Sequence, residues 1–161
     1  MRIKDIMSQP VVTCPTEATL DHAARLMWEY DCGVIPVLDD DGRLAGIVTD
    51  RDVCMAAYTQ GRTLHDIPVT TAMAKQVIAV HGNDTIENAE TLMSEYQIRR
   101  LPVLDSESRP VGIVSMNDLA RQAARKQRDG VEHALVQTLA AVCQPRPRAD
   151  RQPAPALRLA Q

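Results

Sequence analysis

Gly46-Ile47-Val48-Thr49-Asp50-Arg51-Asp52 decides the fold, because it returns sixty-six residues later as Gly112-Ile113-Val114-Ser115-Met116-Asn117-Asp118. Each copy reads Gly, two β-branched apolar residues, a hydroxyl residue, two variable positions and then Asp. The pattern predicts a buried strand running into a helix, with Thr49 or Ser115 at the N-cap. Two readings of the closing Asp stand side by side. A hydroxyl followed three residues on by an acid is a capping box, which needs no ligand. A carboxylate beside backbone N–H groups at a helix start is also a place where a small polar ligand can be held.

Outward from these stretches the repeat continues. Positions 7–53 align with 73–119 without a gap, and identities include Met7/Met73, Thr19/Thr85, Met27/Met93, Tyr30/Tyr96, Pro36/Pro102 and Asp39/Asp105. The body is two copies of one unit. Each unit opens on a β-rich run, Val11–Cys14 or Val77–Val80. A helix follows with a Thr N-cap (Thr19, Thr85) and an acid in its first turn (Asp21, Glu87). Leu20, Ala23, Met27 and Tyr30, and likewise Ile86, Ala89, Met93 and Tyr96, fall at helical spacing and predict a core-facing stripe.

A strand comes next, residues 34–38 or 100–104, whose Pro lacks a donor and predicts an edge or strand-start position. Asp39-Asp40-Asp41-Gly42-Arg43 predicts a turn. Its counterpart, 105–109, has no Gly and predicts a looser one. A strand and a helix (about 50–58 or 116–128) close the unit. The expected fold is α+β: two β-α-β-β-α repeats about a pseudo-twofold axis, at 1–58 and 73–128, joined by a linker at 59–72. Residues 129–161 predict a short helix (about 131–142, with Val131, Leu135, Leu139 and Val142 on one stripe) and then a disordered basic tail.

Composition narrows the function. Of 161 residues only Trp28, Tyr30, Tyr58 and Tyr96 are aromatic, so stacking platforms for single-stranded nucleic acid are largely missing. Residues 1–118 hold 10 basic and 18 acidic side chains, which makes the body a poor binder of polyanions. Residues 119–161 hold 8 basic and 3 acidic ones, which leaves the tail as the nucleic-acid alternative. Four scattered cysteines, no apolar leader and no membrane-length span predict a cytoplasmic protein with reduced thiols. The histidines show no metal spacing, and no nucleophile–base pair or P-loop stands out. A non-enzymatic protein with no catalytic residue, no metal site and no required cofactor is expected.

Ile6-Met7 or Ala72-Met73, then the Pro-Val-Leu-Asp strand, then Gly-Ile-Val-(Thr/Ser)-x-x-Asp, in doubled order, resemble a tandem pair of cystathionine-β-synthase (CBS) domains, the Bateman module. The resemblance covers about residues 1–122. It implies a regulatory pair that binds an adenosine-containing ligand (AMP, ADP, ATP or S-adenosylmethionine) in clefts between the repeats, and a homodimer formed through the helices. It places the ribose-binding carboxylates at Asp52 and Asp118, with Thr49 and Ser115 beside them. It completes the Asp118 cleft with Thr13, Cys14, Pro15, Cys32, Gly33 and Val34. It completes the Asp52 cleft with Ala79, Val80, His81, Ile98, Arg99 and Arg100.

Arg51, Arg99 and Arg100 favour a phosphorylated ligand over a sulfonium, because guanidinium forks match phosphate oxygens. The Asp52 cleft is therefore the expected adenine-nucleotide site. The alternative is a ligandless dimeric scaffold that docks on a partner protein, with Leu26, Met27 and the closing helices as candidate contacts.

Overall fold

The computed structural model describes residues 1–126 and 131–143. The first repeat runs β1 (Cys14–Pro15), α1 (Leu20–Glu29), β2 (Val34–Leu38), β3 (Leu44–Thr49) and α2 (Asp50–Gln60). The second runs β4 (Val80–His81), α3 (Ile86–Tyr96), β5 (Arg100–Leu104), β6 (Pro110–Ser115) and α4 (Met116–Lys126), and α5 (Val131–Val142) follows. Each sheet has three strands, in the orders β1-β2-β3 and β4-β5-β6. The register is the same in both: Cys14 lies opposite Val37 and Val80 opposite Val103, and Val37 pairs with Gly46 as Val103 pairs with Gly112. The α+β architecture of two β-α-β-β-α units is the one expected.

Several local expectations need correction. Pro36 and Pro102 lie in the central strands β2 and β5, not at an edge. The missing N–H is tolerated because β1 pairs only with Val37 and Leu38, and β4 only with Val103 and Leu104, so neither short strand reaches the proline. The turn at 105–109 is built like the one at 39–43 despite lacking Gly. In both, the first Asp accepts two backbone N–H groups through Oδ1, from Asp41 and Arg43 or from Glu107 and Arg109, at 2.8–3.0 Å. This bonding imposes the turn, and Ser108 takes the left-handed φ of 63° that Gly42 takes at 76°.

Leu20, Ala23 and Met27 are buried, as are Ala89 and Met93. Tyr30 and Tyr96 are not: Tyr30 lies just past the last helical residue of α1, and both rings are exposed. Thr85 caps α3 by accepting from the Asn88 amide, whereas Thr19 makes no side-chain cap bond. On α5, Leu135 and Val142 pack against the second core and Thr138 is buried, while Leu139 is exposed. The inward stripe therefore runs 135-138-142, a helical face that ends one turn away from Leu139. The Val131 side chain and the end of the expected helix at 127–128 lie outside the described residues, as does the tail from 144 on.

The repeats are not closed in space as they are in sequence. The amino-terminal segment crosses to the second repeat. Ile3 is fully buried in the second core, its amide donates to the Asp84 carbonyl at 3.0 Å, and Ser8 bridges antiparallel to Ile113 beside β6. The segment ending at Ala74 does the same for the first repeat. Val69 is fully buried in the first core, and Ala74 bridges antiparallel to Ile47 beside β3. These crossings explain the glycines that open the repeated stretch. A Cβ on Gly46 would stand 2.6 Å from Met73 Sδ, and one on Gly112 would stand 2.6 Å from Met7 Sδ. Each methionine lies flat over its strand, and only glycine leaves it room.

Candidate functional site

The capping-box reading of the repeated Asp holds in both copies, and it uses one carboxylate oxygen. Asp52 Oδ2 accepts from the Thr49 amide (2.9 Å) and hydroxyl (2.7 Å), while the Asp52 amide donates to Thr49 Oγ1. Asp118 Oδ2 accepts from the Ser115 amide (2.8 Å) and hydroxyl (2.5 Å), with the same return bond. A cap therefore leaves Oδ1 over, and there the copies part. Asp118 Oδ1 accepts from Ser8 Oγ at 3.3 Å and forms a close ion pair with the Arg121 guanidinium, and the Asp118 side chain is 2% exposed. Asp52 Oδ1 makes no hydrogen bond or ion pair among the described residues, and Asp52 is only half-buried. The cause is two substitutions between twofold mates: Ala74 stands where the other copy has Ser8, and Met55 where it has Arg121.

Two cavities open along the seam between the repeats. The one at Asp52 has a volume of about 520 Å³ and the one at Asp118 about 400 Å³. Both fall in the range of small-molecule sites. Of the candidate ligand-binding residues, Thr49, Arg51, Asp52, Ile98, Arg99 and Arg100 line the Asp52 cavity together. Cys32, Gly33, Val34, Ser115 and Asp118 line the other.

Six expected residues are elsewhere. Thr13, Cys14 and Pro15 do not line the Asp118 cavity, nor do Ala79, Val80 and His81 line the Asp52 cavity. Cys14 and Val80 are buried in their own cores, where β1 and β4 hold them. Burial pushes the Cys14 thiol up to about 11, as befits a packing residue. His81 is exposed, and its ring nitrogen lies 3.1 Å from the Leu104 carbonyl. The cavity walls come instead from the extended chain three residues earlier: Pro10, Val11 and Val12 at Asp118, and Gln76, Val77 and Ile78 at Asp52. Sequence reading missed these, along with Ser8, Asp31 and Arg121 at Asp118, and Ala74 at Asp52. The ungapped alignment carried the signal for Ser8 and Ala74, which stand opposite each other in it.

The linings differ in charge. At Asp52 the guanidiniums of Arg51, Arg99 and Arg100 face two carboxylates, Asp50 and Asp52. At Asp118 Arg100 and Arg121 face Asp31 and Asp118, and one of those pairs is already joined. Arg100 borders both cavities. The Asp52 cleft thus combines a carboxylate oxygen and guanidinium groups without ion pairs among the described residues and an apolar wall of Ile47, Val77, Ile78 and Ile98. That set suits a molecule with a diol, an anionic group and a flat apolar part.

Comparison with known proteins agrees on the framework. The family model described as CBS domain matches residues 3–58 and 65–125. The CBS domain-containing protein YhcV of Bacillus subtilis is 39% identical over 118 residues, which cover 73% of this chain and 82% of that protein. Hypoxic response protein 1 of Mycobacterium tuberculosis is 36% identical over 142 residues, covering 88% of this chain and 94% of that protein. Among solved structures, the CBS domain pair of protein MJ0100 in complex with 5′-methylthioadenosine and S-adenosyl-L-methionine superposes with a TM-score of 0.71 at 29% identity. It covers 79% of this chain and 98% of the other.

Proposed function

Because the chain belongs to the CBS-domain family, as a tandem pair, we propose that it is a non-catalytic regulatory module that binds an adenine nucleotide (AMP, ADP or ATP) in the cleft at Asp52. The observation that carries this reading is the Asp52 carboxylate itself. One oxygen caps α2, and the other faces a cavity that three arginines also line. A carboxylate accepts both hydroxyls of a ribose, as an acid does in dinucleotide sites. Arg51, Arg99 and Arg100 supply forks for phosphate. The adenosine ligands of the MJ0100 pair support the adenosyl part of the reading. The arginines support phosphate over a sulfonium. Signalling would follow by population shift: a ligand that bridges both repeats favours the arrangement in which it binds better.

We propose a homodimer as the working assembly. Support comes from Trp28, which is 88% exposed on α1, and from Met55 and Tyr58, exposed on α2. The contacts first expected at Leu26 and Met27 are displaced inward: Met27 is in the first core, and Leu26 packs against it. The unpaired thiols of Cys14, Cys32, Cys54 and Cys143 support a reducing compartment. No helix among the described residues is long and apolar enough to cross a membrane.

Calorimetry with AMP, ADP, ATP and adenosine tests the reading. Asn at position 52 keeps an acceptor for the cap and replaces the free oxygen with a donor. Asp52→Asn should therefore weaken AMP binding by about tenfold or more, with little change in melting temperature. Absence of heat from every adenine nucleotide at millimolar concentration, in folded protein, would leave the scaffold reading in its place.

A further inference from the structure

We infer that Arg100 is one phosphate-binding cation shared by the two clefts, so that a nucleotide held in one cleft weakens nucleotide binding in the other. The inference rests on the adenine-nucleotide reading above and adds a rule of occupancy to it. Arg100 and Val34 each border both cavities. They are sixty-six residues apart in sequence, so they are twofold mates, each opening its central strand. The pseudo-axis therefore passes between them. On one side of it stands a guanidinium and on the other an isopropyl group, so of the arginines lining the cavities among the described residues Arg100 alone borders both.

The surroundings keep that cation available to both sides. A Cβ on Gly33 would stand 3.1 Å from Arg100 Nη2 and 2.8 Å from Asp50 Oδ2, so the missing side chain leaves the space in which the guanidinium lies. Arg100 forms no ion pair among the described residues, whereas Arg121 is spent on Asp118. A phosphate that engages the Arg100 fork from the Asp52 side takes its donors in a fixed plane. A second phosphate arriving from the Asp118 side then finds the fork turned away and meets the charge of the first. Adenosine carries no phosphate and escapes the competition.

Calorimetric titration with AMP and with adenosine tests this, using wild type and Val77→Trp, which fills the wall of the Asp52 cavity. Gln76→Trp, at an exposed position of the same wall, makes the same closure should Val77→Trp unfold. Wild type is expected to show one tight and one weak AMP step. With the Asp52 cleft closed, the remaining AMP step should be roughly tenfold tighter than the wild-type weak step, because Arg100 is released to it. That gain should vanish when Arg100→Met is added, and it should not occur with adenosine. A remaining step as weak as the wild-type second step, or no AMP binding to a folded closed variant, overturns the sharing. Failure of both AMP and adenosine to bind wild type overturns the nucleotide reading and the sharing together.

Discussion

The Asp52 and Asp118 clefts are built alike and furnished differently. Their scaffolding around the repeated motif matches: the same capping box, the same crossing segment laid beside the last strand, the same methionine over the same glycine. Their linings diverge at several pairs of mates, among them Ser8 and Ala74, Gly33 and Arg99, Val34 and Arg100, Arg51 and Asn117, with Met55 standing where the other copy has Arg121. Scaffold positions are held by close packing, which tolerates little change in volume. Lining positions face a cavity, where a side chain can change without disturbing a neighbour. Duplication followed by divergence at such positions yields two sites with unlike chemistry on one frame.

If the frame is shared, paired insults to it should cost the same. Gly46→Ala and Gly112→Ala each press a methyl group against a methionine sulfur and a backbone carbonyl. Each should destabilise by about 2 kcal/mol through overpacking, as read from urea midpoints. A clear mismatch between the two would break the equivalence of the halves.

Paired changes in the lining should instead be unequal. Ala74→Ser with Met55→Arg transplants into the Asp52 cleft the two groups that occupy Asp118 Oδ1. AMP binding there should fall about tenfold, or about 1.4 kcal/mol. Unchanged affinity would show that the free oxygen at Asp52 is not what distinguishes the clefts.

The smallest effect concerns the twin turns. Hydrogen bonding from the Arg109 amide, then from that of Glu107, with the nearby Arg109 and His81 charges, holds the Asp105 carboxyl below its usual range. A depressed folded pKa contributes stability above the unfolded value, near pH 4, and that contribution is lost as pH falls through the folded value. Wild type should therefore hold a slight stability advantage over Asp105→Asn at pH 7 that disappears on acidification toward pH 3. The part owed to the Arg109 and His81 charges, at a solvent-accessible carboxylate, should also shrink in high salt. Parallel melting curves across pH 3–7 would expose any failure of this trend.

Much of the frame was legible in the sequence, because a doubled pattern of short apolar strand runs and period-3.6 helices leaves few alternatives. The capping boxes were legible because they are local, joining residues three apart. What escaped was everything set by long-range packing. The β-rich residues Cys14 and Val80 looked like cleft walls but are claimed by the sheets, and the polar-flanked stretches before them cross the cavities instead. No local pattern assigns Ile3 to the second core, or Val69, in the stretch read as a linker, to the first. The looser second turn was misjudged because a side-chain carboxylate, Asp105, substitutes for the conformational freedom of a glycine.

The crossing segments carry a consequence for the order in which the molecule is made. Ile3 leaves the ribosome well before the rest of the core it belongs to, which includes Val114 and Leu119. At about ten residues per second, it waits on the order of ten seconds for those partners to be synthesised. The first core, by contrast, is complete once Met73 has emerged. Ile3 thus finds its place only after the second repeat has been made, and the second core closes only when the segment around Ile3 folds back into it.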